Sequence, residues 1–83
     1  MIRLDGNSIA AVLEDVFGRD MTVASGRCAG CGAKREVGAL HVYRAAGIVV
    51  RCPDCDSVLL RIVEARDRTW IDFRGLSTVE LLG

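Results

Sequence analysis

Apolar residues recur at helical spacing only once along this chain. Ile9, Val12, Leu13, Val16 and Phe17 fall at i, i+3, i+4, i+7 and i+8, lining one face of a helix. Glu14 and Asp15 take the other side. The cluster Asp5-Gly6-Asn7-Ser8 supplies turn and N-cap residues ahead of that face, and Gly18 is placed to cap its end. The pattern predicts a helix over about residues 6–17.

Beyond Gly18 the pattern turns to alternation and short apolar runs, which predicts strands. Met21 to Ala24 reads as a short strand. Glu36 to Arg44 alternates, with Val37, Ala39, His41 and Tyr43 opposite Gly38, Leu40 and Val42. Ala45-Ala46-Gly47 is a turn, followed by the buried-strand run Ile48-Val49-Val50. Val58 to Val63 is a further strand, and the charged stretch Glu64 to Arg68 is a hairpin loop. Thr69 to Phe73 returns with Trp70 and Asp72 on one face and Ile71 and Phe73 on the other. The tail Val79-Glu80-Leu81-Leu82, within residues 76–83, fits an edge strand and a helical turn equally well.

Two of the gaps between these predicted strands carry cysteines. The chain has four, arranged as Cys28-Ala29-Gly30-Cys31 and Cys52-Pro53-Asp54-Cys55, twenty residues apart. A two-residue gap lets backbone amides close around a sulfur pair, and two such pairs complete a tetrahedral tetrathiolate. Zinc is the default occupant of that donor set, with iron the competitor. Gly32 stands after the first pair, where a metal knuckle wants a positive-φ turn, and Pro53 stiffens the second. Such a site is closed, with no position left for water, so the spacing points to a structural zinc and away from zinc hydrolysis. Neither pair sits in the βαβ context of a thioredoxin-like redox motif.

Size makes the metal matter. A chain of 83 residues reads as one domain over 1–83, and it buries only about 60–65% of its unfolded surface. Domains of this size commonly need a staple, which structural zinc can supply. The expected fold class is therefore small α+β: a zinc ribbon, with its metal-bound β region over about residues 21–75, plus one N-terminal helix.

Charge narrows the function. Eleven basic residues balance eleven acidic ones, and four thiolates with one Zn²⁺ take this zero to −2. Nucleic-acid modules normally carry a basic excess, so nucleic-acid binding is disfavoured. Ten of the eleven basic residues are arginine, a preference that fits GC-rich coding and receives no functional meaning. No apolar stretch reaches the roughly 18 residues of a membrane span, and no secretory signal pattern opens the chain. Free cysteine pairs fit a reducing compartment, so the expected location is the cytoplasm.

The runs Leu4-Asp5-Gly6-Asn7, Gly26-Arg27-Cys28-Ala29-Gly30-Cys31-Gly32-Ala33, Val50-Arg51-Cys52-Pro53-Asp54-Cys55 and Trp70-Ile71-Asp72-Phe73-Arg74-Gly75 carry a family resemblance. Together they resemble a family of short, functionally unassigned bacterial proteins common in high-GC genera. The resemblance implies metal binding by Cys28, Cys31, Cys52 and Cys55. It also implies genes neighbouring a molybdopterin oxidoreductase and a flavin reductase, hence an alternative role as accessory to an oxidoreductase. The knuckles are also similar to those of hydrogenase nickel metallochaperones. That family binds nickel through a histidine at its extreme N-terminus, whereas this chain begins Met1-Ile2-Arg3 and has only His41. The rubredoxin pattern, C-x2-C-G with C-P-x-C-G, is similar too, but Asp56 stands where its second glycine belongs.

The remaining polar residues offer little chemistry. His41 lies mid-strand beside no acidic neighbour in sequence, so it reads as a surface or half-buried residue and not as a base. Asp54 and Asp56 flank Cys55 and read as solvated. Trp70 with Arg61, Arg68 and Arg74 could stack a base or dock a protein, but Glu64, Asp67 and Asp72 interrupt any phosphate groove. No nucleophile–base pair, phosphate loop or small-molecule pocket stands out. The expectation is a non-enzymatic zinc-binding module with no catalytic residues, mediating contact with another protein. The alternatives are a rubredoxin-like iron electron carrier and a nucleic-acid-binding ribbon.

Overall fold

The computed structural model describes residues 3–81. A short strand β1 (Arg3–Asp5) leads into a 3-10 turn (Gly6–Ile9) and then into helix α1 (Ala10–Phe17). Strands β2 (Ser25–Cys28) and β3 (Lys34–Glu36) follow, and a second 3-10 turn (Val37–Ala39) leads to β4 (His41–Arg44). Strands β5 (Ile48–Arg51), β6 (Val58–Glu64), β7 (Thr69–Asp72) and β8 (Leu76–Glu80) complete the chain. The strands form two antiparallel sheets. One has five strands in the order β1-β4-β5-β6-β7, and the other has three in the order β3-β2-β8. The expected fold class therefore holds: small α+β, with one N-terminal helix and antiparallel strands.

The helix forms where the apolar periodicity places it, but its first turn is 3-10. Asp5 caps that turn, its carboxylate accepting the Asn7 amide at 3.1 Å. Gly18 closes the other end, its amide donating to the Glu14 carbonyl at 2.7 Å. Only part of the stripe is covered: Ile9 and Leu13 are buried, whereas Val16 and Phe17 are 44% and 39% exposed.

The core lies on one face of the large sheet. Val42, Val50 and Leu60 sit side by side across β4, β5 and β6, and Ile48, Ile62 and Ile71 form the adjacent row. Ile9, Leu13, Met21, Val37 and Leu40 pack against these rows. Burying each such side chain stabilises the fold by roughly 1.5–3 kcal/mol.

Three sequence expectations need correction. Met21 to Ala24 is a turn, and the strand begins at Ser25. The Asp20 carboxylate accepts both the amide and the hydroxyl of Thr22, at 2.9 and 2.6 Å, which bends the chain there. Met21 and Ala24 are apolar because the turn packs into the core. Second, Glu36 to Arg44 is not one strand. The 3-10 turn at Val37–Ala39 carries the chain from the small sheet to the large one, with Val37 and Leu40 both buried at i, i+3. Amides of Val37 and Gly38 bond the carbonyls of Ala24 and Thr22 there, at 2.8 and 3.0 Å. Third, the β region runs past residue 75. The tail resolves its ambiguity as β8, an edge strand paired antiparallel with β2. Leu81 follows the strand, and Leu82 lies outside the described residues.

Gly75 is the joint between the sheets. A Cβ there would stand 1.9 Å from the Val58 carbonyl oxygen, so only glycine allows the approach. Its amide donates to Leu59 in β6, and its carbonyl accepts the Ala29 amide, at 3.0 and 2.9 Å.

Candidate metal centre

Each cysteine pair is the loop of a β-hairpin, and the two hairpins come from different sheets. Cys28 ends β2, and Cys31 lies in the loop before β3 of the small sheet. Cys52 and Cys55 lie in the loop joining β5 to β6 of the large sheet. The two loops repeat one hydrogen-bond scheme. Gly32 donates to the Cys28 carbonyl and Asp56 to the Cys52 carbonyl, both at 2.9 Å. Cys28 donates to Ala33 and Cys52 to Ser57, again both at 2.9 Å. The residue after each second cysteine takes a left-handed conformation, with φ 78° at Gly32 and 63° at Asp56. Asp56 is the one non-glycine residue at positive φ among those described. Asp tolerates this region better than most L-residues, so Asp56 keeps the turn that the missing second glycine put in question.

These loops bring four sulfurs together. The Sγ atoms of Cys28, Cys31, Cys52 and Cys55 all lie within 4.8 Å of one another. Between the pairs, Cys28 approaches Cys55 at 3.6 Å and Cys31 approaches Cys52 at 3.7 Å. A tetrahedron with about 2.3 Å metal–sulfur arms has edges of about 3.8 Å, so the donors fit one tetrahedral ion. The spacing suits zinc and iron alike, so the metal's identity is not fixed by it. Cys28 and Cys52 are buried at 3% and 2% exposure, whereas Cys31 and Cys55 face solvent. Backbone amides also approach the buried sulfurs: Cys31 N to Cys28 Sγ at 3.5 Å, and Asp54 N to Cys52 Sγ at 3.4 Å.

The two exposed thiols are unlike in acidity. The Ser57 hydroxyl, 3.2 Å from Cys55 Sγ, and the Ser57 amide favour the thiolate, bringing Cys55 down to about 6. At Cys31 the Ala33 amide pulls the same way, but desolvation and the three neighbouring sulfurs outweigh it and push the thiol up to about 12. A cluster that resists carrying four bare thiolates is one that a divalent cation stabilises strongly.

Arginines brace the loops, a feature the sequence reading did not assign. Arg27 and Arg51, each immediately before a first cysteine, donate to the carbonyls of Gly32 and Asp56 at 2.8 and 2.9 Å. The repeated Arg-Cys-x2-Cys was the available signal. Arg35 on β3 reaches across to the other hairpin and grips Asp54 with two bonds, Nε to Oδ2 at 2.8 Å and Nη2 to Oδ1 at 2.6 Å. Asp54 is therefore not merely solvated. Arg35 holds its carboxyl below the usual carboxylate range against some desolvation, with smaller help from Cys52 and His41.

The other singled-out residues stay outside the cluster. His41 lies on β4 between Asp5 and Arg51, half-buried, and is not among the four grouped ligands. The Asp56 carboxylate stands 3.9 Å from Arg51, a long contact beside the 2.9 Å bond that Arg51 makes to the Asp56 carbonyl. Trp70 is 54% exposed on β7 opposite Val63, with the Arg68 guanidinium 5.9 Å from its ring centroid. Arg74 bonds Asp72 at 3.1 Å, and Arg61 stands opposite Asp72 across the sheet. Phe17 and Phe73 meet edge to face at 6.0 Å. Among the described residues, no helix is long and apolar enough to cross a membrane.

These features define a small α+β protein in which one cysteine hairpin from each of two sheets converges on a four-sulfur cluster suited to binding a metal. The chain belongs to a family of unknown function (DUF6510), which it matches over residues 1–83. No curated protein and no solved structure matches it.

Proposed function

We propose that Cys28, Cys31, Cys52 and Cys55 bind one structural Zn²⁺ and that the protein is a non-enzymatic module that docks on another protein. The observation carrying the metal is the meeting of four sulfurs, two from each sheet, at tetrahedral spacing. Zinc there would clamp the small sheet to the large one. Four protein sulfurs fill its tetrahedron, which leaves no site for a reacting water and supports a non-enzymatic role. The docking surface is supported by Val63 on β6 and its cross-strand partner Trp70 on the edge strand β7, 47% and 54% exposed. A holo charge near −2, from balanced side chains, four thiolates and one Zn²⁺, favours a protein partner over nucleic acid.

The test is elemental analysis of protein purified without added metal. We expect one zinc per chain, a colourless preparation and no reversible redox wave. Iron remains the second reading because exposed Cys31 and Cys55 would give electrons a short path to solvent. A red, redox-active preparation would establish it, and less than stoichiometric metal in a folded chain would remove both.

A further inference from the structure

The Arg35–Asp54 fork joins the two cysteine hairpins. We infer that Arg35 and Asp54 act as positioning residues for the metal, setting its affinity and its release rate. The inference rests on the metal reading above and extends it to residues that touch no metal.

Four observations carry it. The fork is bidentate, a geometry that fixes orientation as well as charge. It links β3, which follows Cys31, to the residue between Cys52 and Cys55, so it spans the two pairs that one metal must hold. Asp54 in turn touches a ligand: its amide is 3.4 Å, and its Oδ2 3.9 Å, from Cys52 Sγ. A loop shift that breaks the fork would therefore move the Cys52 sulfur or its N–H donor. The guanidinium also places a positive charge near Cys31 and Cys52, one ligand from each pair. A tetrathiolate zinc carries a net charge of −2, and a neighbouring cation favours that state over the open site.

The exposure of the pair makes the inference testable. The Arg35 and Asp54 side chains are 49% and 35% exposed, and bridges at such sites contribute little to folding stability. Losing the fork should leave the holo fold intact. Losing a positioning group typically weakens metal binding by about 10–100-fold.

The experiment is competition between the full chain and a chelator for Zn²⁺ and for Co²⁺, with wild type, Arg35→Ala, Arg35→Lys, Asp54→Ala and the double alanine variant. We expect about 10–100-fold weaker binding in each alanine variant, with faster release. The double variant should be no weaker than the worse single one, because the two residues act as one unit. Arg35→Lys should fall between, keeping the charge without the fork. The cobalt ligand-field bands should shift in Asp54→Ala, a change that a merely structural bridge would not produce. Variants that bind both metals within twofold of wild type, with unshifted bands, would overturn the inference and leave the zinc reading standing. A wild-type chain that binds neither metal would sink both.

Discussion

The two cysteine hairpins share a backbone and divide everything else. Each has an arginine before its first cysteine, a left-handed residue after its second, and the same pair of 2.9 Å amide bonds. Their side chains differ at every other matching position. The first loop has Ala29, Gly30, Gly32 and Ala33 where the second has Pro53, Asp54, Asp56 and Ser57. The first is held by main chain, with Ala29 bonded to the Gly75 carbonyl. The second is held by side chains, through Asp54 to Arg35 and Ser57 to Cys55. The contrast is complementary: a Cβ on Gly30 would approach Ser57 Oγ at 3.2 Å, so the bare loop leaves room for the polar one. The backbone scheme is thus the part a sulfur pair requires, and the side chains set how the two loops meet.

The largest expected break comes from the ligands themselves, and it should divide along burial, not along loops. Structural zinc contributes on the order of 10 kcal/mol in small domains, comparable to the whole stability of a domain this size. Cys28→Ser and Cys52→Ser place a hydroxyl at positions 3% and 2% exposed, where water cannot easily complete the coordination. Cys31→Ser and Cys55→Ser leave three thiolates with an outward position that water can fill. We expect the buried variants to lose stoichiometric zinc and cooperative melting, and the exposed variants to keep weaker zinc and a lowered melt. Metal content and circular dichroism on all four variants check this. A strong chelator should act on wild type as the buried variants do. An unchanged melt after zinc removal would mean that the core stands without the clamp.

Much of this was legible in the sequence, but unevenly. The paired spacing pointed to the four cysteines, and the helix followed from Ile9, Leu13 and their neighbours. Asp56 was the informative departure: it stands where the rubredoxin pattern has a glycine, and its φ of 63° shows that it takes a left-handed turn like that of Gly32. Two strand boundaries differ from expectation because burial in a turn gives the same apolar signal as a strand. Met21, Ala24, Val37 and Leu40 are apolar inside turns that pack on the core. Strand β1 was missed because Arg3-Leu4-Asp5 is too short to alternate visibly and forms only by pairing with β4. The presence of two sheets was also not legible. Nothing local says that β2 pairs with a strand some fifty residues later, a non-local choice made by tertiary packing. The Arg35–Asp54 fork was hidden for the same reason, since nineteen residues separate its partners.

The left-handed positions offer an intermediate test of how alike the loops are. Gly32 has open space around a virtual Cβ, so Gly32→Ala would be strained by its φ alone. An L-residue there costs about 1–2 kcal/mol. That lowers the melting temperature by roughly 4–8 °C per kcal/mol in a domain this size. Asp56→Gly should move the other way. It relieves the same strain but restores chain entropy worth about 0.5–1 kcal/mol, so the net gain is about 0.5 kcal/mol. Thermal melts of the zinc-loaded variants measure both. If Asp56→Gly destabilised the fold by as much as Gly32→Ala, the aspartate side chain would be holding the second loop in a way its exposed position does not suggest.

The smallest effect belongs to the arginines, where the loops should be indistinguishable. Arg27 and Arg51 each donate one bond to the carbonyl of the left-handed residue, at 2.8 and 2.9 Å. A charged donor to a carbonyl at the surface contributes roughly 1 kcal/mol, and less where water can replace it. Arg27→Ala and Arg51→Ala should therefore each lower zinc-loaded stability by about 0.5–1 kcal/mol, measured by denaturant titration. Arg51 has a second, longer contact with Asp56 at 3.9 Å, too exposed to separate the two. The side chains divide different work between the loops at every other matched position, but these two do one job twice. The arginines brace a backbone turn and do not touch a sulfur, so the two variants should cost the same. A difference above about 1 kcal/mol would mean that one arginine also acts on the cluster, and the likeness of the loops would then stop at the main chain.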